Sequence, residues 1–171
     1  MDFSHLPFTQ QMQVHEANVR GVYLSISCDY EQLMNDIIYL CELGEGEKPA
    51  NGEIIAYINQ HLRHLEMGKK FRRTKKALEK YNAQYFTDFQ PYFDVIEQLV
   101  MYRTILSHGY SSYDPNQTDK SFIIFDHLYK GKVYTERIVI HPFLTQMEHY
   151  RSCIMELAGL SVLLRKERGL L

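Results

Sequence analysis

The segment Val22–Cys41, VYLSISCDYEQLMNDIIYLC, decides the fold. Val22, Ile26, Tyr30, Leu33, Ile37, Leu40 and Cys41 recur at steps of three or four, the period that gathers side chains on one face of an α-helix. No proline interrupts them. The pattern extends from Val14 to Leu43, which predicts one long helix, or two with a hitch at Gly21. Gly44, Gly46, Pro49, Asn51 and Gly52 then concentrate turn chemistry and end it.

Downstream, Glu53–Leu65 predicts a second helix with Ile54, Ile58, Leu62 and Leu65 on one face, and Lys69–Tyr85 a third with Phe71, Thr74, Leu78, Tyr81 and Tyr85 aligned. Thr87-Asp88-Phe89-Gln90 has the form of a capping box, so a fourth helix is expected from there. It carries Phe93, Ile96, Leu99, Val100 and Leu106 and stops at Gly109. Gly109–Ser121 reads as a polar loop. The period then changes: Ser121–Leu128 and Val133–His141 are rich in β-branched and aromatic residues and flank Tyr129-Lys130-Gly131-Lys132, the pattern of a β-hairpin closed by Pro142. Thr145-Gln146-Met147-Glu148 repeats the capping-box form. The helix expected after it runs to about Arg165, with Met147, Tyr150, Ile154, Leu157, Ser161 and Leu164 on its apolar face. The expected class is all-α: an up-and-down bundle of four to five helices, with a hairpin at about 121–141 inserted before the last, in a single domain 1–171.

With 171 residues the chain is long enough for one self-sufficient core. A net charge of -2 argues against coating nucleic acid through bulk charge. The charge is segregated, however. Asp29, Glu31, Asp36, Glu42, Glu45, Glu47 and Glu53 face only Lys48, whereas Arg63, Lys69, Lys70, Arg72, Arg73, Lys75, Lys76 and Lys80 face only Glu66 and Glu79. The basic run either follows a phosphate backbone or is a solvated helix face balancing the acidic segment. Cys28, Cys41 and Cys153 are too few and too far apart for a disulfide framework or a zinc pattern, and each is expected to be a buried thiol. No secretory signal or apolar run of membrane-spanning length is visible, so the expected location is cytoplasmic, away from membranes. P-loop, GxGxxG and GxSxG patterns are absent, and no cofactor or metal is expected; His61 and His64, three apart, lack the carboxylates of a zinc motif.

The chemistry-bearing stretch is Met101-Tyr102-Arg103-Thr104-Ile105-Leu106-Ser107-His108-Gly109. On a helix Arg103 and His108 stand about 7.5 Å apart along the axis and about 140° apart in azimuth. They do not share a stripe, but both can approach one groove at the helix end. Histidine moves protons near neutral pH, and the arginine fork suits a phosphate. Together they would suit metal-free RNA cleavage: histidine deprotonates a 2'-hydroxyl, and arginine stabilises charge growing on the attacked phosphate. The plainer reading is a solvated arginine and a histidine at a helix C-terminus. Tyr102 and Tyr110 flank the pair and could stack a base, or simply fill an interface.

Arg-x4-His-Gly at a helix end resembles the signature of the HEPN superfamily (higher eukaryote and prokaryote nucleotide-binding). The resemblance runs from about Tyr23 onward: a long first helix with the acidic stretch Asp29–Ile38, a turn at Gly68-Lys69-Lys70-Phe71, then the polar loop, hairpin and closing helix after Gly109. It implies a helical bundle that forms a homodimer, with the motifs of both copies facing one cleft and two histidines available as base and acid. Many such proteins are metal-independent endoribonucleases acting as toxins or in defence, some with an antitoxin or other protein partner; others are inactive protein- or RNA-interaction modules. Carried onto this chain, Arg103 and His108 become the candidate catalytic residues. Thr104, Tyr102, Tyr110, Lys69, Lys70, Arg72 and Arg73 become candidates for RNA binding. One departure is Thr104, since active members commonly place Asn, Asp or another strongly polar residue directly after the arginine.

Overall fold

The computed structural model describes residues 3–43, 52–113 and 117–171, with the side chain of Thr104 outside the description. The turn expected across Gly44–Asn51 and the middle of the Gly109–Ser121 loop therefore lie outside the described residues. Among the described residues five α-helices and three strands follow in the order α1 (Phe8–Glu42), α2 (Glu53–Tyr57), α3 (Met67–Tyr81), α4 (Ala83–His108), β1 (Tyr110–Ser112), β2 (Phe122–Tyr129), β3 (Lys132–Val139) and α5 (Ile140–Glu167). The protein is thus mostly helical, as the periodicity predicts, but the hairpin belongs to a three-stranded antiparallel sheet, ordered β1-β2-β3.

Helix α1 passes Gly21 without a break, because nothing in the backbone requires one there. Two starts differ from the expected capping boxes for one physical reason. The hydroxyls of Thr87 and Thr145 donate back to the carbonyls of Ala83 (2.9 Å) and His141 (3.1 Å), four residues earlier, so both threonines lie inside helices. The cap of α4 is Asn82, whose Oδ1 accepts from the amides of Gln84 (3.0 Å) and Tyr85 (3.1 Å). Helix α5 starts directly out of β3, its Ile140 amide held by the Ser121 carbonyl at 2.8 Å, and Pro142 sits in its first turn, where a missing amide costs little. The expected second helix is split: α2 gives way to a π-helical turn at Ile58–Leu62. The strand missed from the sequence, β1, pairs Tyr110 with Asp126 and Ser112 with Ile124. Lys130 and Gly131 both take positive φ (50° and 76°), the two-residue turn whose twist suits a hairpin.

The contacts gather into two compact units. The first joins Met1–Ile26 with Met101–Tyr150, and the second joins Ser27–Val100 with Arg151–Leu171. In the first, Ile123, Phe125 and Ile138 turn inward from the sheet, and Met12, Val19, Tyr23, Leu106, Phe143, Met147 and Tyr150 complete the buried set. In the second, Tyr30, Phe71 and Phe93 form a ring cluster across α1, α3 and α4, with centroids 6.5 and 6.3 Å apart. Ile37, Leu78, Leu99, Leu157, Leu160 and Leu164 are buried in the same unit. Each buried Leu or Ile of this kind contributes roughly 1.5–3 kcal/mol. All six residues assigned to the apolar face of the last helix are buried. Cys153 is buried and Cys41 half-buried, but Cys28 is exposed, contrary to expectation. It stands about 200° around α1 from both Ile26 and Tyr30, on the side away from the buried stripe.

Candidate functional site

Arg103 and His108 both lie in the last turns of α4, within the first compact unit. The hydrophobic pattern dictates this helix end: Leu99 and Leu106 are buried, which turns Ser107 and His108 to solvent. His108 is the final helical residue and is exposed, and Arg103 is half-buried. Among the described residues Arg103 has no hydrogen-bond or ion-pair partner.

The position that follows His108 has no room for a side chain. The Gly109 amide donates to the Ile105 carbonyl at 2.9 Å, and a Cβ on Gly109 would fall on that same carbonyl oxygen, with the Asp126 carbonyl 3.3 Å away. Only glycine fits between the helix end and β2. The carbonyls left over at the helix end are taken by Arg20 of α1. Its guanidinium donates to the Leu106 carbonyl and, at 2.6 Å, to the Gly109 carbonyl. A third N–H, on Nε, reaches Glu16 at 2.8 Å, and the guanidinium lies 4.8 Å from the Phe125 ring centre. A planar fork with five donors suits this task, and it brings positive charge to the negative end of the helix dipole.

Glu16 completes the clamp by accepting from the Ser111 hydroxyl at 2.5 Å and from the Tyr113 hydroxyl. Burial alone would raise its carboxyl. The hydrogen bonds from Ser111, Tyr113 and Arg20, with the Arg20 charge, outweigh that and hold it below its ordinary range. Burial and the hydrogen bond to Glu16 push the Tyr113 phenol up to about 12. The segments on both sides of Gly109 are thus tied to one turn of α1. Neither Glu16 nor Arg20 was singled out from the sequence. Their i,i+4 spacing, acid first, was the available signal, but a pair of that kind ordinarily marks only an exposed helix face.

Tyr102 is packed. Its ring meets Phe143 edge-on at 5.3 Å, and its hydroxyl donates to Gln146 at 3.3 Å. It borders a small cavity of about 190 Å³ with Ile105, Glu136, Phe143 and Gln146. Burial, then the Glu136 charge, raises its phenol. Tyr110, by contrast, is 82% exposed on β1, open to stacking. The Thr104 side chain lies outside the described residues.

The basic candidates belong to α3, in the second unit, and they divide. The Lys70 side chain is 3% exposed and bonded to Glu31. Arg73 grips Glu42 with two donors, Nε at 2.8 Å, and also meets the Tyr57 hydroxyl at 3.0 Å. The charge of each is therefore committed internally. Lys69 is exposed, with Glu66 at a loose 3.8 Å, and Arg72 is exposed with no partner among the described residues. No group of three His, Cys, Asp or Glu placed to hold a metal occurs among the described residues. No helix there is long and apolar enough to cross a membrane. Comparison with protein-family models, with curated proteins and with solved structures returns no match for this chain.

Proposed function

We propose that the protein is a HEPN-like, metal-independent endoribonuclease of the toxin or defence type, built as an up-and-down helical bundle and acting in the cytoplasm as a homodimer. The observation that carries this reading is the built end of α4. Arg20 and Glu16 anchor the turn around Gly109, His108 emerges from it exposed, and Arg103 sits half-buried nearby with its charge unpaired among the described residues. A firmly held loop beside a solvent-facing imidazole is what positional catalysis requires.

In the proposed reaction His108 takes the proton from a 2'-hydroxyl. The freed oxygen attacks the adjacent phosphorus and the bond to the 5'-oxygen breaks, leaving a 2',3'-cyclic phosphate. A protonated His108 of a second copy returns a proton to the departing oxygen, and Arg103 offsets the charge on the phosphorane-like transition state. Tyr110 would stack a base, and Lys69 and Arg72 would meet the backbone.

The test is cleavage of a single-stranded RNA in EDTA by wild type, His108→Ala and Arg103→Ala. Cleavage by wild type and loss of about a hundredfold or more in each variant is expected. Equal cleavage by all three would overturn the assignment. The internal commitment of Lys70 and Arg73 favours a second reading, an inactive HEPN-like module that binds RNA or a protein partner such as an antitoxin. Complete lack of cleavage by wild type, with retained RNA or partner binding, would favour it.

A further inference from the structure

Four of the cations of α3, Lys69, Lys70, Arg73 and Lys75, each face a carboxylate, of Glu66, Glu31, Glu42 and Asp94 respectively. Arg72, Lys76 and Lys80 face none among the described residues, and of these Lys76 and Lys80 stand one turn apart on the same side of the helix. Like charges at that spacing repel, at a cost of a few tenths of a kcal/mol to an isolated helix. Both lysines line a cavity of about 760 Å³ in the second unit.

Among the described residues of the remaining wall, Arg168 adds a further cation, and Arg73 another that is paired with the one lining carboxylate, Glu42. Arg168 is held in place by the carbonyls of Leu40 (3.2 Å) and Leu43 (2.9 Å) and lies over the Tyr81 ring at 4.9 Å. Glu167, beside Arg168 in the chain, accepts from the hydroxyls of Tyr81 (3.0 Å) and Tyr85 (2.6 Å). Cys41, also on the wall, is kept as a neutral thiol by burial. Among the described lining residues, with Arg73 and Glu42 offsetting each other, Lys76, Lys80 and Arg168 leave an excess of positive charge in a chain whose net charge is -2. Clefts lined by one sign of charge concentrate ions of the other sign.

We propose that this cavity binds a small, multiply charged phosphate compound, of pyrophosphate to nucleoside-polyphosphate size, with Lys76 and Lys80 as its flexible point charges and Arg168 as its fixed one. Arginine forks and lysine ammonium groups are the usual partners of phosphate oxygens. The volume lies in the range of small-molecule sites. This assignment is independent of the endoribonuclease reading, since it uses none of the residues around Arg103 and His108.

The test is calorimetric titration of the full chain with inorganic phosphate, pyrophosphate and ATP, and separately with a short single-stranded RNA. The proteins are wild type, Lys76→Gln/Lys80→Gln and, as a control, Lys132→Gln, an exposed lysine of β3, with circular dichroism confirming that each is folded. Pyrophosphate or ATP should bind wild type and Lys132→Gln alike, and the double variant about tenfold or more weakly. Absence of binding by any of the small phosphates up to about 10 mM would overturn the proposal. So would equal affinity in the double variant. RNA binding that depends on Lys76 and Lys80, without binding of the small compounds, would overturn it in favour of a polynucleotide groove.

Discussion

Arg20 donates to the carbonyl oxygen of Gly109 at 2.6 Å, across 89 positions of sequence, and with its other nitrogens holds the Leu106 carbonyl and Glu16. One side chain thus satisfies backbone acceptors on both sides of His108. Unpaired carbonyls at a part-buried helix end are costly, and a charged donor is worth about 1.5–3 kcal/mol per bond.

Arg20→Ala should therefore lower stability by about 2–3 kcal/mol, read from the midpoint of urea unfolding. Arg20→Lys should recover only a part, because one ammonium cannot reach two carbonyls and a carboxylate in the same geometry. Full recovery by lysine would show that charge near the helix end matters and the fork does not.

Gly109 and Gly21 should respond to alanine with opposite signs. A Cβ on Gly109 meets the Ile105 carbonyl, so Gly109→Ala forces the end of α4 to shift and should cost about 2 kcal/mol. A Cβ on Gly21 meets nothing within 4 Å in the interior of α1, so Gly21→Ala should stabilise by about 0.5–1 kcal/mol. Thermal unfolding of both variants measures the contrast, and two shifts of the same sign would contradict it.

The Glu16 carboxyl is depressed below its ordinary 4.5 in the folded protein, so the unfolded chain takes up protons first as pH falls. The stability it contributes is complete above that value and drains away as pH drops through the lower, folded-state value. Glu16→Gln should flatten this part of the acid-unfolding curve and leave Ser111 and Tyr113 with a weaker acceptor. Superposable pH–stability curves for wild type and Glu16→Gln between pH 6 and the acid limit, measured in urea, would refute the linkage.

The helices were legible because burial imposes a period: Phe93, Ile96, Leu99 and Leu106 declare α4, and Met147 through Leu164 declare α5. What failed was punctuation. Thr87 and Thr145 sit in capping-box sequences, but their hydroxyls found a carbonyl one turn back, an alternative that local sequence cannot distinguish. Strand β1 is three residues long, too short for alternation to register, and its pairing with β2 is non-local. At the candidate site Arg103, His108 and Gly109 were visible as a motif, whereas Glu16 and Arg20 were not. Their role is defined by partners about ninety positions away, and an i,i+4 acid–base pair on a helix usually has none.

The basic run of α3 shows the same limit and yields a decisive comparison. In sequence Lys69, Lys70, Arg72 and Arg73 look equivalent, yet the Lys70 side chain is 3% exposed against Glu31 while Lys69 is 58% exposed. Removing one member of a pair withdrawn from water strands the other, at about 3–5 kcal/mol when both are buried. Glu31 remains one-third exposed, so Lys70→Met should cost less, about 2 kcal/mol, whereas Lys69→Gln and Arg72→Gln should stay within about 0.5 kcal/mol. If RNA follows this face, the two exposed substitutions should instead weaken binding and reduce its salt dependence, by roughly one unit of slope for each phosphate no longer neutralised. Urea unfolding and a salt titration of RNA binding on the same three variants separate the roles. A destabilised Lys69→Gln, or a stable Lys70→Met, would show that the exposed and buried members of the run have been assigned the wrong way round.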